Sequence, residues 1–239
     1  MEFYANDGKQ VEIAVNGATY RRHAVKTHFV TPNESYLGLI ERYVLPVFER
    51  GDVLFSASKI VSIASGNVID PADMKVGRLA NWLSTKVAAD PKKGAGVGVP
   101  LKMQYAIDTV GVPRILAGAA ASVIGKKVFH KSGWFYVVTG PKVVGIDGFG
   151  DDYGTSDEFH RQGIPLPENA QELCDEVLVK LGVPLVITDT NDFGGSLLAA
   201  SKSLLTVRKA KELHEFVRDN PYGQGHQQTP FVVVKGVVA

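Results

Sequence analysis

The chain has 239 residues, 45% of them hydrophobic and 21% charged, the composition of an ordinary soluble globular protein with enough length for one large core or two small intertwined ones. With 26 Lys and Arg against 25 Asp and Glu, the net charge is +1, which gives no reason to expect a nucleic-acid surface. The longest run of small apolar residues, 115–125, is too short to span a bilayer, and the first residues lack the basic-then-apolar order of a signal peptide, so a cytoplasmic protein without membrane or nucleic-acid partners is expected. The single cysteine, Cys174, has no internal disulfide partner and reads as core filler within a helix.

In chain order, residues 2–30 read as β-hairpins. Runs at 11–15 and 18–26 flank Asn16-Gly17, a strong two-residue hairpin signal. His23 and His28 lie here and receive no role. Residues 33–49 read as an amphipathic helix with Asn33 or Ser35 as cap, Leu37, Ile40, Val44 and Val47 on one face, and Pro46 kinking or ending it early. Gly51-Asp52 then opens a buried strand that ends at Ser58-Lys59. Ser58 is expected to cap a following helix, whose free backbone N–H groups favour anions, and Lys59 adds a point charge suited to phosphate. A plain strand–turn with one snorkelling lysine reads the same residues equally well.

Residues 92–102 hold Gly94, Gly96 and Gly98 beside Lys92 and Lys93. They form either a mobile surface loop or a phosphate-approaching substrate lid, without the ending of a P-loop. Residues 107–125, rich in Ala and Gly, read as a helix or strand packed closely on a neighbour, and Trp82 and Trp134 as core or interface positions. Residues 135–138 read as a short strand. Residues 143–146 deliver Asp147 onto a loop with glycines at 148, 150 and 154. Asp147, Asp151, Asp152, Asp157 and Glu158 crowd carboxylates there. Such a loop either neutralises itself with a hard divalent cation or is a solvated acidic turn. Residues 183–190 form an apolar run ending in Asp189 and Thr190, so a buried strand would present a carboxylate and a hydroxyl at its carboxyl edge, where ligands of α/β folds bind. Two strands ending in Asp147 and Asp189 would then grip one metal. Residues 201–217 are a basic amphipathic segment whose Lys/Arg face is solvated.

Several of these blocks occur together in a known order. Gly-Asp-Val-Leu at 51–54, Lys-Ile-Val-Ser at 59–62, Asp90-Pro91, Gly145-Ile146-Asp147, Leu166-Pro167 with a helix after it, Ile187-Thr188-Asp189-Thr190, Gly223-Gln224 and Pro-Phe-Val-Val-Val-Lys-Gly at 230–236 follow one another as in that family. Over residues 25–239 the chain resembles the coenzyme F-420-0:gamma-glutamyl ligases, with residues 1–24 as a β-hairpin extension. The resemblance implies an α+β fold, mixed α/β with several β-sheets, in an intertwined homodimer. It implies GTP as co-substrate and Mg2+ or Mn2+ as cofactor. It also implies an amide ligase that joins L-glutamate to a carboxylate of the deazaflavin coenzyme precursor, or a related acceptor, through an acyl phosphate. Carried over residue by residue, it puts Asp147 and Asp189 at the catalytic centre, and Asp147, Asp189, Thr190 and Gln224 at the metal. Ser58, Lys59 and Gly150 would meet the nucleotide, together with the loop Tyr222, Gly223, Gln224, Gly225, His226, Gln227, Gln228 and Thr229.

The chain departs from that pattern at defined positions. Ile63 stands where the family has a second lysine, with Lys202 or Arg208 as candidate substitutes. Ser65 replaces a glutamate and Gly150 an asparagine. Asn-Asp-Phe-Gly-Gly-Ser follows Thr190 where the family carries arginines, and Thr27-His28-Phe29-Val30 replaces an N-terminal nucleotide contact. Glycine and lysine lack the bidentate fork of arginine. These substitutions leave a second expectation open, a non-catalytic nucleotide- or metal-binding protein on the same fold.

Overall fold

A computed structural model describes residues 2–87, 95–150, 159–192, 194–223 and 225–238. Strands β1 (Glu12–Val15) and β2 (Ala18–Val25) come first, then helix α1 (Tyr36–Leu39), β3 (Val53–Ala57) and α2 (Ser58–Ala64). Next come α3 (Arg78–Ser84), α4 (Pro100–Val110), α5 (Val112–Val128), α6 (Trp134–Thr139), α7 (Pro141–Val144), β4 (Asp147–Gly148) and β5 (Gly163–Ile164). The chain closes with α8 (Ala170–Leu181), β6 (Leu185–Asn191), β7 (Gly194–Ala200), α9 (Lys202–Val207), α10 (Ala210–Glu215) and β8 (Phe231–Val234). This is a mixed α+β architecture in two compact units. The first comprises Met1–Asn67 with Pro167–Ala239, and the second Val68–Leu166.

The first unit is built on a six-stranded sheet in the order β1-β2-β8-β3-β6-β7. Only β3 and β6 run parallel; the other neighbours are antiparallel. A parallel pair needs a long crossover. Here that crossover contains the whole second unit and α8. β3, β6 and β8 lie in the middle and carry near-continuous apolar runs, Val53-Leu54-Phe55, Leu185-Val186-Ile187 and Phe231-Val232-Val233-Val234, all fully buried.

The Asn16-Gly17 turn joins β1 and β2 as expected, with φ of 50° and 80°, the positive pair that a tight hairpin requires. β2 continues past residue 24 and pairs with β8, so the expected N-terminal extension is the edge of the main sheet. Residues 36–47 are helical but change pitch. After α1 comes a π turn at Ile40–Val44, then a 3-10 turn at Leu45–Val47 around Pro46. Ser35 supplies the cap, its hydroxyl accepting from the Gly38 N–H at 3.1 Å.

On one face of the sheet Phe55 and Phe216 pack at 5.7 Å between ring centroids, and Tyr20 meets Phe216 edge-on at 5.0 Å. Leu204, Leu213 and Val217, from the segment 201–217, join them, while Leu205 and Val207 stay exposed. Cys174 is buried in α8, where burial pushes its thiol up to about 12, so it packs as a neutral apolar group.

Arg22 is the largest fully buried polar side chain. It donates to Asp219 through both terminal nitrogens (2.5 and 2.8 Å), to the Phe216 carbonyl and to the Gln10 carbonyl. Removing either partner of such a pair strands a charge.

The second unit is mainly helical, with a two-stranded sheet β4–β5. Residues 107–125 are helical, split between α4 and α5 at Gly111 (φ 82°). Two expectations fail here. Residues 135–138 belong to helix α6, because Gly133 and Gly140 both take positive φ and bracket six residues that close a helical turn between them. The strand expected over 143–146 is not there: residues 143 and 144 end helix α7, which Pro141 starts. Of the two places expected for Trp82, core or interface, the core is excluded: it is 57% exposed, with Lys86 Nζ over its ring at 5.8 Å. Trp134 is half-buried and stacks on Phe129.

Two measurements check this account. Phe216→Ala should lower unfolding stability by about 3–5 kcal/mol in chemical denaturation, because it empties the aromatic cluster. Burial opposes the charge on Asp219, but the hydrogen bonds and charge of Arg22 outweigh it and hold that carboxyl below its ordinary value of 3.8. The ion pair therefore contributes stability above that value and loses it as pH falls through the lower folded value. Asp219→Asn should destabilise at pH 7 by less than the ~3–5 kcal/mol of a fully buried pair, since the Asp219 side chain is 35% exposed, and the gap to wild type should close in acid.

Candidate functional site

The parallel register of β3 on β6 runs from Leu54↔Leu185 to Ala57↔Thr188. The next residue on each strand is therefore Ser58 on one side and Asp189 on the other. Their side chains meet: the Ser58 hydroxyl donates to Asp189 Oδ1 at 3.4 Å. Ser58 is thus not the cap of α2. Ala57 holds that position without a side-chain bond, and Ser58 is the first helical residue.

β6 does not stop at Asp189. It continues through Asn191 and turns back into β7, with Asp189↔Ser196, Thr190↔Gly195 and Asn191↔Gly194 in register. A register shift between Ile187 and Thr188 interrupts the β6–β7 ladder, and beyond Thr188 β6 has left the parallel pair and is paired with β7 as a hairpin arm. Successive side chains on a strand face opposite ways, so Asp189 and Thr190 alternate across this arm. The Thr190 hydroxyl oxygen is buried without a hydrogen-bond partner among the described residues. Gly195 makes room for it, since a Cβ there would fall 2.7 Å from that oxygen and 2.6 Å from the Asp189 carbonyl.

β8 is antiparallel to β3, so its amino end arrives at the same edge. The Ala57 N–H donates to the Pro230 carbonyl at 2.9 Å. The preceding loop is closed at its base. The Thr229 hydroxyl donates to the Tyr222 carbonyl at 2.7 Å, and Asn6 donates to Thr229 Oγ1 and to the Pro221 carbonyl at 2.7 and 2.8 Å. The Tyr222 hydroxyl bonds Thr188 Oγ1 at 2.9 Å inside the core, and burial raises its pKa, so it serves as a neutral anchor. Within the loop, Gln227 Oε1 accepts from the Gly225 N–H at 2.7 Å, and Gly223 (φ 85°) has no room for a side chain beside Gln227. Gln228 presents its carbonyl to the Thr27 N–H at 2.8 Å, which sets residues 27–30 beside the loop.

The first unit therefore gathers Ser58, Lys59, Asp189, Thr190 and the loop Tyr222, Gly223, Gly225, His226, Gln227, Gln228 and Thr229 at one sheet edge. Gln224, Asp151, Asp152, Asp157, Glu158, Lys92 and Lys93 lie outside the described residues, as does the Asp90-Pro91 block. Asp147 and Gly150 belong to the second unit. There Asp147 pairs with Ile164 across β4 and β5, and the Gly150 N–H donates to the His160 carbonyl at 2.8 Å. Among the described residues no three His, Cys, Asp or Glu side chains cluster as metal ligands. Magnesium takes hard oxygens, usually from one or two carboxylates, and the Asp189 carboxylate fits that ion in kind.

Local sequence reading missed the groups that hold this edge in place. Lys9 Nζ reaches Asp192 (2.8 Å) and the Asp219 carbonyl (2.7 Å), and Asn220 reaches Asp192 (3.1 Å). His28 lies between Tyr43 Oη (2.7 Å) and Glu34 Oε2 (2.8 Å). The proposed substitutes for the absent lysine are engaged elsewhere: Lys202 with Asp175 at 3.1 Å, and Arg208 with Glu212, Tyr20 and the Val237 carbonyl. An open cavity of about 490 Å³ lies at the opposite, amino ends of β3 and β6, lined by Arg50, Asp52, Leu181 and Pro184 among others.

Neither protein-family models nor curated proteins match the chain in comparison.

The Tyr222 anchor yields a direct check. Tyr222→Phe should cost about 1–3 kcal/mol, because Thr188 loses its buried partner, and should speed hydrogen exchange in residues 222–229. An unchanged exchange rate would mean that the loop is held by its base alone.

Proposed function

We propose that the chain is a GTP- and divalent-metal-dependent amide ligase resembling the coenzyme F-420-0:gamma-glutamyl ligases. Its acceptor is a carboxylate of the deazaflavin precursor or a related acid, and its donor amine is L-glutamate. One observation carries the reading: the β3–β6 register sets Ser58-Lys59 against Asp189-Thr190, at the edge to which the loop 222–229 is anchored. Those are the blocks that the resemblance assigns to nucleotide and metal, and they are 131 positions apart at the Ser58–Asp189 bond.

In the proposed reaction an oxygen of the acceptor carboxylate attacks the γ-phosphorus of GTP. The bond to the β-phosphate oxygen breaks and GDP leaves. The α-amine of glutamate then attacks the acyl carbon of the acyl phosphate, phosphate departs, and the nitrogen gives up a proton to form the amide. Positioning and electrostatics carry most of phosphoryl transfer, so no side-chain nucleophile is required. Asp189 would hold a bound Mg2+ or Mn2+, which would supply charge neutralisation at the transferring phosphoryl group, while the Thr190 hydroxyl faces the other side of the arm. Ser58 orients the Asp189 carboxylate. Lys59 supplies positive charge next to it, and the loop backbone offers N–H donors to phosphate oxygens.

A second reading, binding without turnover, is favoured by one feature. Ile63 is buried in α2, 8% exposed, so the family's second lysine position points into the core and brings no cation to the edge. The two readings separate by assay.

Thermal unfolding with GTP, ATP or GDP, each with and without Mn2+ or Mg2+, tests the site. Saturation at a hundred times the dissociation constant adds about 2.7 kcal/mol, a visible rise in midpoint. We expect a metal-dependent rise selective for GTP, absent in Asp189→Asn. A rise retained in that variant, or none with any pair, overturns the assignment. Phosphate release with glutamate and the deazaflavin acid then supports the ligase, and GTP binding without release supports the binding protein.

A further inference from the structure

A chain of hydrogen-bonded side chains joins the segment after β2 to the helical turns that follow α1. Glu34 Oε2 meets His28 Nε2 at 2.8 Å, and His28 Nδ1 meets the Tyr43 hydroxyl oxygen at 2.7 Å. The direction of these bonds is set from the carboxylate end. The Thr31 N–H and the Thr31 hydroxyl both donate to Glu34 Oε1. The N–H bond does most to hold the Glu34 carboxyl below its ordinary range; burial opposes it, and the Thr31 hydroxyl and the His28 ring add to it. An ionised carboxylate only accepts. His28 Nε2 therefore carries the ring proton, and Nδ1 keeps its lone pair for the Tyr43 O–H.

A hydroxyl, a base within hydrogen-bond reach and a third group that orients the base form the arrangement by which proteins activate a nucleophile. Two observations separate it from a plain fastener. It is open to reactants: the His28 side chain is 39% exposed and that of Glu34 27%, whereas Arg22, which fastens the corner at Asp219, is at 2%. Tyr43 also belongs to the π turn Ile40–Val44, and single π turns are rare and frequent at functional sites. On the same turn, Arg42 sets its guanidinium carbon 5.1 Å from the centroid of the Tyr43 ring. Positive charge there favours the phenol oxygen as it turns negative.

We propose that Tyr43 is a nucleophile that accepts acyl groups from activated esters, with His28 as its general base and Glu34 as the residue that positions His28. The Tyr43 oxygen attacks the ester carbonyl carbon while its proton passes to His28 Nδ1. The imidazolium so formed pairs with Glu34. The bond from the acyl carbon to the leaving oxygen then breaks, that oxygen takes the proton from His28, and the acyl group remains as an ester on Tyr43. The step uses neither GTP nor metal and is independent of the ligase reading.

The test is acetylation of the full chain by p-nitrophenyl acetate, read as the rate at each tyrosine by peptide mass spectrometry. Tyr4 is the internal standard. It is 45% exposed, more than the half-buried Tyr43, and its hydroxyl has the Asn6 amide oxygen at 3.4 Å in place of an imidazole. We expect Tyr43 to be acetylated faster than Tyr4, and His28→Gln to slow Tyr43 about a hundredfold with Tyr4 unchanged. Glu34→Gln keeps an oxygen that accepts from His28 but loses the charge. It should slow Tyr43 at an unchanged thermal midpoint, which a role confined to supporting the fold would not do. Acetylation of Tyr43 no faster than that of Tyr4, or a preference for Tyr43 that survives His28→Gln, overturns the proposal. Should that variant not fold, Glu34→Gln decides by the same ratio, and a preference that survives it overturns the proposal.

Discussion

The backbone ladder of β3 with β6 on one side and β8 on the other is the constraint from which the first unit follows. Each strand in it is buried on both faces, so each must satisfy its N–H and C=O groups within the sheet. Once Leu54 is opposite Leu185 and Val233, every later pairing is determined, and a slip of one residue would turn Phe55 and Ile187 to the wrong face. The edge where Ser58, Asp189 and Thr229 gather is a product of that register. None of the three is near another in sequence.

Around this ladder the polar groups act as fasteners. Arg22 ties β2 to the corner at Phe216 and Asp219. Asn6 and Lys9 tie the N-terminal segment to the loop base and to the hairpin arm. Buried polar groups are costly unless paired, so each bond specifies one arrangement as well as stabilising it. The loop 222–229 is therefore held at its ends by Thr229, Tyr222 and Asn6 while residues 225–228 stay exposed. A firmly held base with an accessible backbone is a suitable frame for a phosphate-bearing ligand.

The second unit follows a different physical scheme. Its α5–α6 pair is closely packed because Gly118 and Gly125 let Phe135, Thr139 and Trp134 approach. Spending the small residues inward leaves the larger aliphatics outside. The apolar outer face is thus the counterpart of a glycine-based inner one.

By itself the sequence determined what depends on neighbours in the chain. The Asn16-Gly17 hairpin, a cap at Asn33 or Ser35, the buried strands at 53–57 and 185–188, the helix around Cys174 and the mixed α+β class are all legible, because turn chemistry and periodicity are local. It went wrong at 135–138 and 143–146. At 135–138 an apolar run of strand-like residues became helix between the positive-φ glycines 133 and 140, and at 143–144 the chain is still in the helical turn that Pro141 starts. Tertiary structure alone decided that Ser58 meets Asp189 instead of capping α2 and that Tyr222 turns inward to Thr188. It also decided that β6 runs on past Asp189 into a hairpin and that Lys202 and Arg208 are engaged elsewhere. Those outcomes follow from strand register and from pairings between residues up to about two hundred positions apart, and such pairings leave no periodic trace in a single chain.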